Sequence, residues 1–335
     1  MFADDLTETL LVQMIHTMGE NGIDIGGKEF VRDIGFVIEA VKGTIYRDMQ
    51  LAHPMNRNQI SLASVMMHLN ITKRDSVEGG MVRHMILNSL RMYRERFFKE
   101  YGELVICYDS KHYWRRDIFP QYKAGRKKTR DSSSHDWDDI FEFLNAFKDE
   151  MIEFMPYKVL EVYGAEADDI IYALTREFEH DIGKTLILSG DKDFIQLQRY
   201  GNVTQYSPIT KKFVNGVNWN DYLNEHVLRG DTSDGIPNVL SPDNTFVNGL
   251  RQKPLGKKKI QSWSEHDIED VLPNDEVKRN YQRNKKLIDL TESPKELFLE
   301  CLKAYDDAPE GDRSKLLNYF IKNRLNELMD SIGDF

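Results

Sequence analysis

Asp109 directly follows the apolar run Leu104-Val105-Ile106-Cys107-Tyr108, and Asp191 and Asp193 directly follow Thr185-Leu186-Ile187-Leu188-Ser189. Short apolar runs bounded by polar turns read as buried strands, and sites in open parallel sheets form at the carboxyl ends of strands. Glu166, Asp168 and Asp169 open a segment of helical spacing, while Asp231 and Asp234 stand in Gly230-Asp231-Thr232-Ser233-Asp234-Gly235-Ile236-Pro237. Each group has an ordinary reading by itself, because acids at a helix start cap it and complement its dipole. Gathered at one place, so many carboxylates repel one another unless cations neutralise them. No cysteine accompanies them and no histidine pair is evident. An oxygen-only donor set predicts a hard ion, Mg²⁺, with Mn²⁺ as a substitute. Two such ions ~3.5–4 Å apart activate water and stabilise the leaving oxygen in phosphodiester cleavage.

A second cluster is basic. The chain of 335 residues has a net charge of -10, which by itself argues against a polyanionic partner. Residues 111–130, KHYWRRDIFPQYKAGRKKTR, run against that balance. Arg115, Arg116, Lys123 and Arg126 stand there beside Tyr113, Trp114 and Tyr122. Arginine and lysine interleaved with aromatics grip single strands by charge and by stacking. Lys257, Lys258 and Lys259 after Gly256 form a further basic point, where backbone amides and lysines can hold a phosphate.

Other classes are excluded. No run approaches the ~18 apolar residues of a membrane span. The acidic start Met1-Phe2-Ala3-Asp4-Asp5 lacks the layout of a signal peptide. Cys107 and Cys301 are too few for a disulfide framework or a four-cysteine zinc site, so a reducing intracellular setting is expected.

The elements that must position these groups follow from periodicity. Residues 1–55 read as a helical hairpin with its own apolar face, closed by His53-Pro54. From 56 to 220, helices at about 82–100, 136–154 and 166–178 alternate with strands at 104–108, 157–162 and 185–189, and a further strand at 203–206 leads into a turn at Pro208–Lys211. Alternation of this kind predicts an α/β fold with a parallel sheet. Residues 221–335 read as helical.

The motifs Gly164-Ala165-Glu166-Ala167-Asp168-Asp169, Ser189-Gly190-Asp191-Lys192-Asp193-Phe194-Ile195-Gln196-Leu197 and Gly230 to Pro237, in this order, resemble the 5′-nuclease (flap endonuclease) superfamily. Tyr113-Trp114-Arg115-Arg116-Asp117, Tyr122-Lys123-Ala124-Gly125-Arg126, Met81-Val82-Arg83-His84 and the tail from Asn318 to Phe335 are similar to its T-even phage ribonuclease H group. The resemblance covers about 56–335. It implies a PIN-like parallel-sheet core with a helical arch, a helical DNA-binding region with a helix-turn-helix clamp, and an extra N-terminal hairpin. The implied activity is metal-dependent 5′-to-3′ exonuclease and flap endonuclease action, removing RNA primers and 5′ flaps during phage DNA replication in the host cytoplasm. The implied substrates are RNA–DNA hybrid and 5′-flap or forked duplex DNA, with a single-stranded-DNA-binding protein and a sliding clamp as partners, and the chain as a monomer.

Carried over by position, Asp109, Glu166, Asp168 and Asp191 would serve one metal, with Asp169 adjoining. Asp193, Asp231 and Asp234 would serve the other. Lys123 and Arg126, with Arg115, Arg116 and Tyr122, would meet the substrate at the arch, and Lys257 and Lys258 would meet the duplex. Two departures stand out. An insert, Ser241 to Gln252, interrupts the clamp. The family's first aspartate falls on Asn56, with no apolar strand before it. Loss of that ligand implies an alternative, a weakened or inactive nuclease-fold protein that binds branched DNA. A PIN-like endoribonuclease is a second alternative, against which the Gly230–Pro237 clamp argues.

Overall fold

The computed structural model describes residues 77–131, 137–180, 183–309 and 311–335. The expected hairpin at 1–55 and Asn56 lie outside the described residues. The first described helix, α1 (Val77–Tyr101), turns Val82, Met85, Ile86, Leu90, Tyr93 and Phe97 inward at intervals of three and four, much the periodicity of one helix face. It packs with α4 (Trp137–Phe154) and the C-terminal α11 (Leu316–Lys322) and α12 (Asn326–Met329). Phe143, Phe147, Phe320 and Phe335 fill the space between them. Burying a side chain of this size contributes about 1.5–3 kcal/mol.

Strand β1 (Val105–Tyr108) pairs in parallel with β2 (Lys158–Glu161), and β3 (Thr185–Leu188) pairs in parallel with β4 (Val203–Ser207). The short β5 (Lys212–Phe213) returns antiparallel to β4 across the expected turn. The α/β expectation therefore holds, but among the described residues the strands form two sheets rather than one. Helix α5 (Ala167–Glu177) lies against β1 and β2 and buries Ile170 and Ala173. Helix α10 (Lys295–Asp307) covers the same layer with Leu297 and Cys301. Both cysteines are free and buried.

The basic strip is not a loop. It forms α2 (Trp114–Ile118) and α3 (Ala124–Asp131), and Phe119 and Tyr122 between them enter a core built from the C-terminal half. That core gathers α6 (Trp219–Arg229), α7 (Lys257–Ser264), α8 (Ile268–Val271) and α9 (Asp275–Ile288). Asn218 and Asn274 cap α6 and α9 by accepting backbone N–H bonds at their first turns. Helix α6 ends at Gly230, at φ 67°, where an added Cβ would stand 2.3 Å from the Ile236 carbonyl oxygen. Only glycine fits there.

Buried amides fix the clamp turn that follows. The Asn284 side chain donates to the carbonyls of Val227 and Pro237, and that of Asn280 donates to the carbonyl of Val239. The expected insert closes on itself at its base. The Asn238 amide N–H donates to the Gln252 side chain, the Asn238 side chain donates to the Lys253 carbonyl, and the Lys253 N–H donates to Ser241 Oγ.

Candidate metal and phosphate site

Asp109 ends β1, Asp168 lies in the first turn of α5, Asp191 and Asp193 follow β3, and Asp231 and Asp234 occupy the turn after α6. These segments meet at one cleft of about 400 Å³. Its walls carry Asp109, Glu166, Asp168, Asp191, Asp193, Asp231 and Asp234, together with Lys123 and Arg126. Local geometry holds each in place. Asp109 accepts the N–H of Ala167 at 2.7 Å and so caps α5. Asp191 accepts the N–H of Asp193 at 2.8 Å and starts a 3-10 helix, Lys192–Arg199. Asp231 accepts the Ser233 N–H at 2.7 Å, fixing the turn that presents Asp234.

The charge balance of the cleft is strained. Burial, with Asp191, Glu166 and Asp109 nearby, raises the Asp168 carboxyl well above the ordinary range. Burial and the neighbouring Asp191 push Asp193 up to about 8. Asp191 is raised as well, by burial first and then by Asp231 and Asp234, against the opposing bond from the Asp193 amide. Carboxylates that drive one another toward the protonated form need an outside cation to stay ionised at neutral pH. The residues fit divalent metal ions by this test. The donors are mostly carboxylate oxygens, which suit hard divalent ions.

Internal cations cover part of the charge. Lys123 adopts φ 55°, in the left-handed region. Its ammonium lies 2.5 Å from Glu166 Oε1 and 3.7 Å from Asp234 Oδ2. Burial acts to lower the Lys123 pKa, but Asp234 and Glu166 outweigh it and hold the group above its ordinary value. Arg126, half exposed, donates to Asp234 Oδ1 at 2.8 Å. Lys123 and Arg126 thus face the cleft from the start of α3, where the sequence placed the arch.

Several expected roles do not survive the geometry. Asp169 does not line the cleft. It is buried, pointing away from the site, and its oxygens accept from Arg115 at 2.8 and 2.9 Å, from Ser293 Oγ at 2.6 Å, from the Trp114 indole at 3.2 Å and from the Glu166 N–H at 3.0 Å. No oxygen is left for a metal, so Asp169 is corrected from ligand to anchor. Arg115 is 2% exposed and cannot reach a phosphate. Its guanidinium ties Asp169 and Glu166 to the Leu287 carbonyl of α9. Tyr122 is also buried, its hydroxyl donating to Asp234 Oδ2 at 2.8 Å, and it offers no face for a base. Arg116, by contrast, is exposed beside Tyr113. Lys257 and Lys258 are exposed at the start of α7, outside the cleft.

Sequence reasoning also missed an imidazole in the cleft. His226, from α6, lines the cleft 3.3 Å from Asp193 Oδ1 and 3.5 Å from Asp231 Oδ2. Tyr222, one turn earlier, also faces in. Their spacing of four, just upstream of Gly230, is the helical signal that could have found them.

Comparison with known proteins gives the family and the fold. Residues 64–225 match the family described as 5′-3′ exonuclease, N-terminal resolvase-like domain, and residues 221–335 match the C-terminal family of T4 RNase H. The ribonuclease H of Enterobacteria phage T4 is 34% identical over 289 residues, 83% of this chain and 93% of that protein. DNA polymerase I of Bacillus subtilis is 28% identical over 69% of this chain, a match confined to 27% of the polymerase. A bacteriophage T5 flap endonuclease, solved as a pseudo-enzyme-product complex with DNA and metal ions, shares the fold at a TM-score of 0.53 and 15% identity, covering 73% of this chain and 96% of that one.

Proposed function

Because the chain belongs to the 5′-3′ exonuclease family that includes phage T4 ribonuclease H, we propose that it removes RNA primers and 5′ flaps with two Mg²⁺ ions. As a member of that family it is a hydrolytic 5′-to-3′ nuclease. One observation carries the finer reading: seven carboxylates converge on one cleft whose other wall is Lys123 and Arg126. Divalent ions bound there would activate water and neutralise the charge that develops on the cleaved phosphodiester.

The chain's own residues do the rest. Asp109, Asp168 and Asp191 would hold one ion, and Asp193, Asp231 and Asp234 the other. Glu166, held by Arg115 and Lys123, orients the first group rather than standing as a free ligand. Lys123 and Arg126 would exchange part of their carboxylate pairing for a phosphate of the strand, which places the scissile bond over the acids. Arg116 and the exposed Lys257 and Lys258 would hold backbone phosphates farther out, the lysines on the duplex side of the clamp. In this reading 56–220 performs the chemistry together with Asp231 and Asp234 of the Gly230–Pro237 turn, and the rest of 221–335 grips the duplex. Mn²⁺ would substitute for Mg²⁺. The setting would be the host cytoplasm, with a single-stranded-DNA-binding protein and a sliding clamp as partners of a monomer. Among the described residues no helix is long and apolar enough to cross a membrane.

The test is digestion of 5′-labelled RNA–DNA hybrid and 5′-flap DNA with Mg²⁺ and with EDTA. The reading expects short 5′ products with Mg²⁺, none with EDTA and none from Asp191→Asn. EDTA-resistant cleavage, or internal cuts in single-stranded RNA without need of a 5′ junction, would overturn it.

A further inference from the structure

His226 stands apart from the carboxylates of the cleft, and we propose that it is a direct ligand of the second metal site, with Asp193 and Asp231, shifting that site's preference from Mg²⁺ toward Mn²⁺ and Co²⁺. The proposal rests on the nuclease reading, since it names a ligand and an ion preference within the same site.

The geometry is that of a donor set. One ring nitrogen of His226 and one oxygen each of Asp193 and Asp231 all lie within 4.8 Å of one another. Donors bound at about 2.0–2.3 Å to one ion stand roughly 3–4.5 Å apart, so a small side-chain adjustment lets one ion bridge the three. The imidazole Nδ1 is buried and makes no hydrogen bond of regular geometry among the described residues, although Asp193 Oδ1 stands 3.3 Å from it. Buried polar atoms are nearly always partnered, and an orphan calls for a specific explanation. A coordinated ion supplies one. The ring also pairs with Asp231 of the turn, but that turn does not depend on it alone. Asp231 is already fixed through Oδ1 by the Ser233 N–H, the Ser233 hydroxyl and the Asp234 N–H, which leaves Oδ2 facing the ring. Asp193 Oδ1 faces the ring's other edge. Tyr222 packs edge-on to the imidazole at 5.6 Å and holds its plane on the cleft side of α6.

The donor chemistry decides the ion. All-oxygen sites suit Mg²⁺, which keeps most of its waters. An imidazole nitrogen favours borderline ions, with affinity rising from Mn²⁺ to Co²⁺ in the divalent series. A site of two carboxylates and one imidazole therefore binds Mn²⁺ and Co²⁺ more tightly, relative to Mg²⁺, than an all-oxygen site does.

Mn²⁺ is added to the full chain until both sites fill, and electron spin-echo modulation reads nitrogen coupled to the ion. The expected result is ¹⁴N coupling that changes to the ¹⁵N pattern in protein labelled only at histidine. His226→Asn should lose the coupling and weaken Mn²⁺ binding at the second site by about tenfold or more, with Mg²⁺ binding nearly unchanged. His180→Asn, at a solvent-exposed ring, should keep the signal. Absence of histidine coupling in the wild-type chain overturns the proposal even if His226→Asn fails to fold. Equal weakening of Mn²⁺ and Mg²⁺ in a folded His226→Asn protein also overturns it, since a purely structural ring would act on both. Flap cleavage is scored separately. A chain that couples nitrogen to Mn²⁺ but cuts no flap keeps the ligand and loses the nuclease reading, and a chain that cuts without coupling does the reverse.

Discussion

Asp168 and Asp169 are neighbours in sequence with opposite surroundings, and Asp169→Ala tests that division. The substitution strands the Arg115 guanidinium, which is 2% exposed, and leaves the Trp114 indole, the Ser293 hydroxyl and the Glu166 N–H without their acceptor. Glu166 stays on Arg115 at 2.8 Å, so the cation is not wholly unpaired. Removing one partner of a buried ion pair costs about 3–5 kcal/mol, and the retained Glu166 pairing argues for the lower half of that range. At about 2.1 cal/mol/K of unfolding entropy per residue, a chain of 335 residues shifts by roughly 1.4 °C per kcal/mol, so a fall of roughly 4–6 °C is expected. Arg115 holds the Asp169 carboxyl below the usual range against burial, which acts to raise it. A depressed carboxylate stabilises the fold above its unfolded pKa of about 3.9, and that contribution is lost as pH falls through the folded value. The wild type should therefore approach Asp169→Ala in stability only in acid below about pH 4. The assay is scanning calorimetry at neutral and acid pH, with EDTA and with Mg²⁺. The fall should be the same with and without metal. A loss seen only with Mg²⁺, or a change below about 1 kcal/mol, would refute the anchoring role and return Asp169 to the metal.

Asp168→Asn should do the opposite in EDTA. A carboxyl with a raised pKa costs stability as pH rises from its unfolded value toward the folded one, so the variant should melt higher than wild type at pH 7. At Mg²⁺ a hundred times its Kd the wild type should gain about 2.7 kcal/mol, and the variant should lose most of that gain along with cleavage, as melting curves in the two buffers will read. Gly230→Ala should destabilise by more than about 1 kcal/mol and lower cleavage as well, since the new Cβ meets the Ile236 carbonyl at 2.3 Å and displaces Asp231; an unchanged denaturant midpoint would contradict the tight approach. Replacing Lys257 and Lys258 by Ala should reduce the salt slope of duplex binding by about 0.9 for each phosphate no longer neutralised while leaving Mg²⁺-induced stabilisation intact, and equal slopes would remove the lysines from the interface.

The carboxylate cluster was legible because its members sit at the ends of strands and helices, where short-range pattern fixes their position. Asp109, Asp191 and Asp193 follow apolar runs that could hardly be anything but strands. What the pattern could not give was direction. Asp168 and Asp169 adjoin on α5, and only the helical turn of about 100° between them sends one into the cleft and the other to Arg115. The basic strip misled for a related reason. Its aromatics and one of its arginines serve the core between α5 and α9, and a charged residue that is fully buried by pairing reads the same in sequence as a solvated one. His226 was missed because its partners lie 33 residues before it and five after it, in segments brought together only by the packing of α6 against the 3-10 helix. The split into two sheets was equally invisible, since periodicity identifies strands but not their neighbours.

The closed base of the clamp loop has a consequence for how the protein tolerates change. Asn238 and Ser241 grip Gln252 and Lys253, so the chain between them leaves and returns through a fixed gate. Lengthening a surface loop costs little once its ends are held, about 0.6 kcal/mol per doubling. Residues 247–250, exposed at the tip, can therefore be lengthened or replaced by a reporter peptide, whereas Asp243, paired with Arg279 and Arg283, and the buried Thr245 tie the rest of the loop to α9. The tip is the natural place to attach a dye for following the nuclease on its substrate.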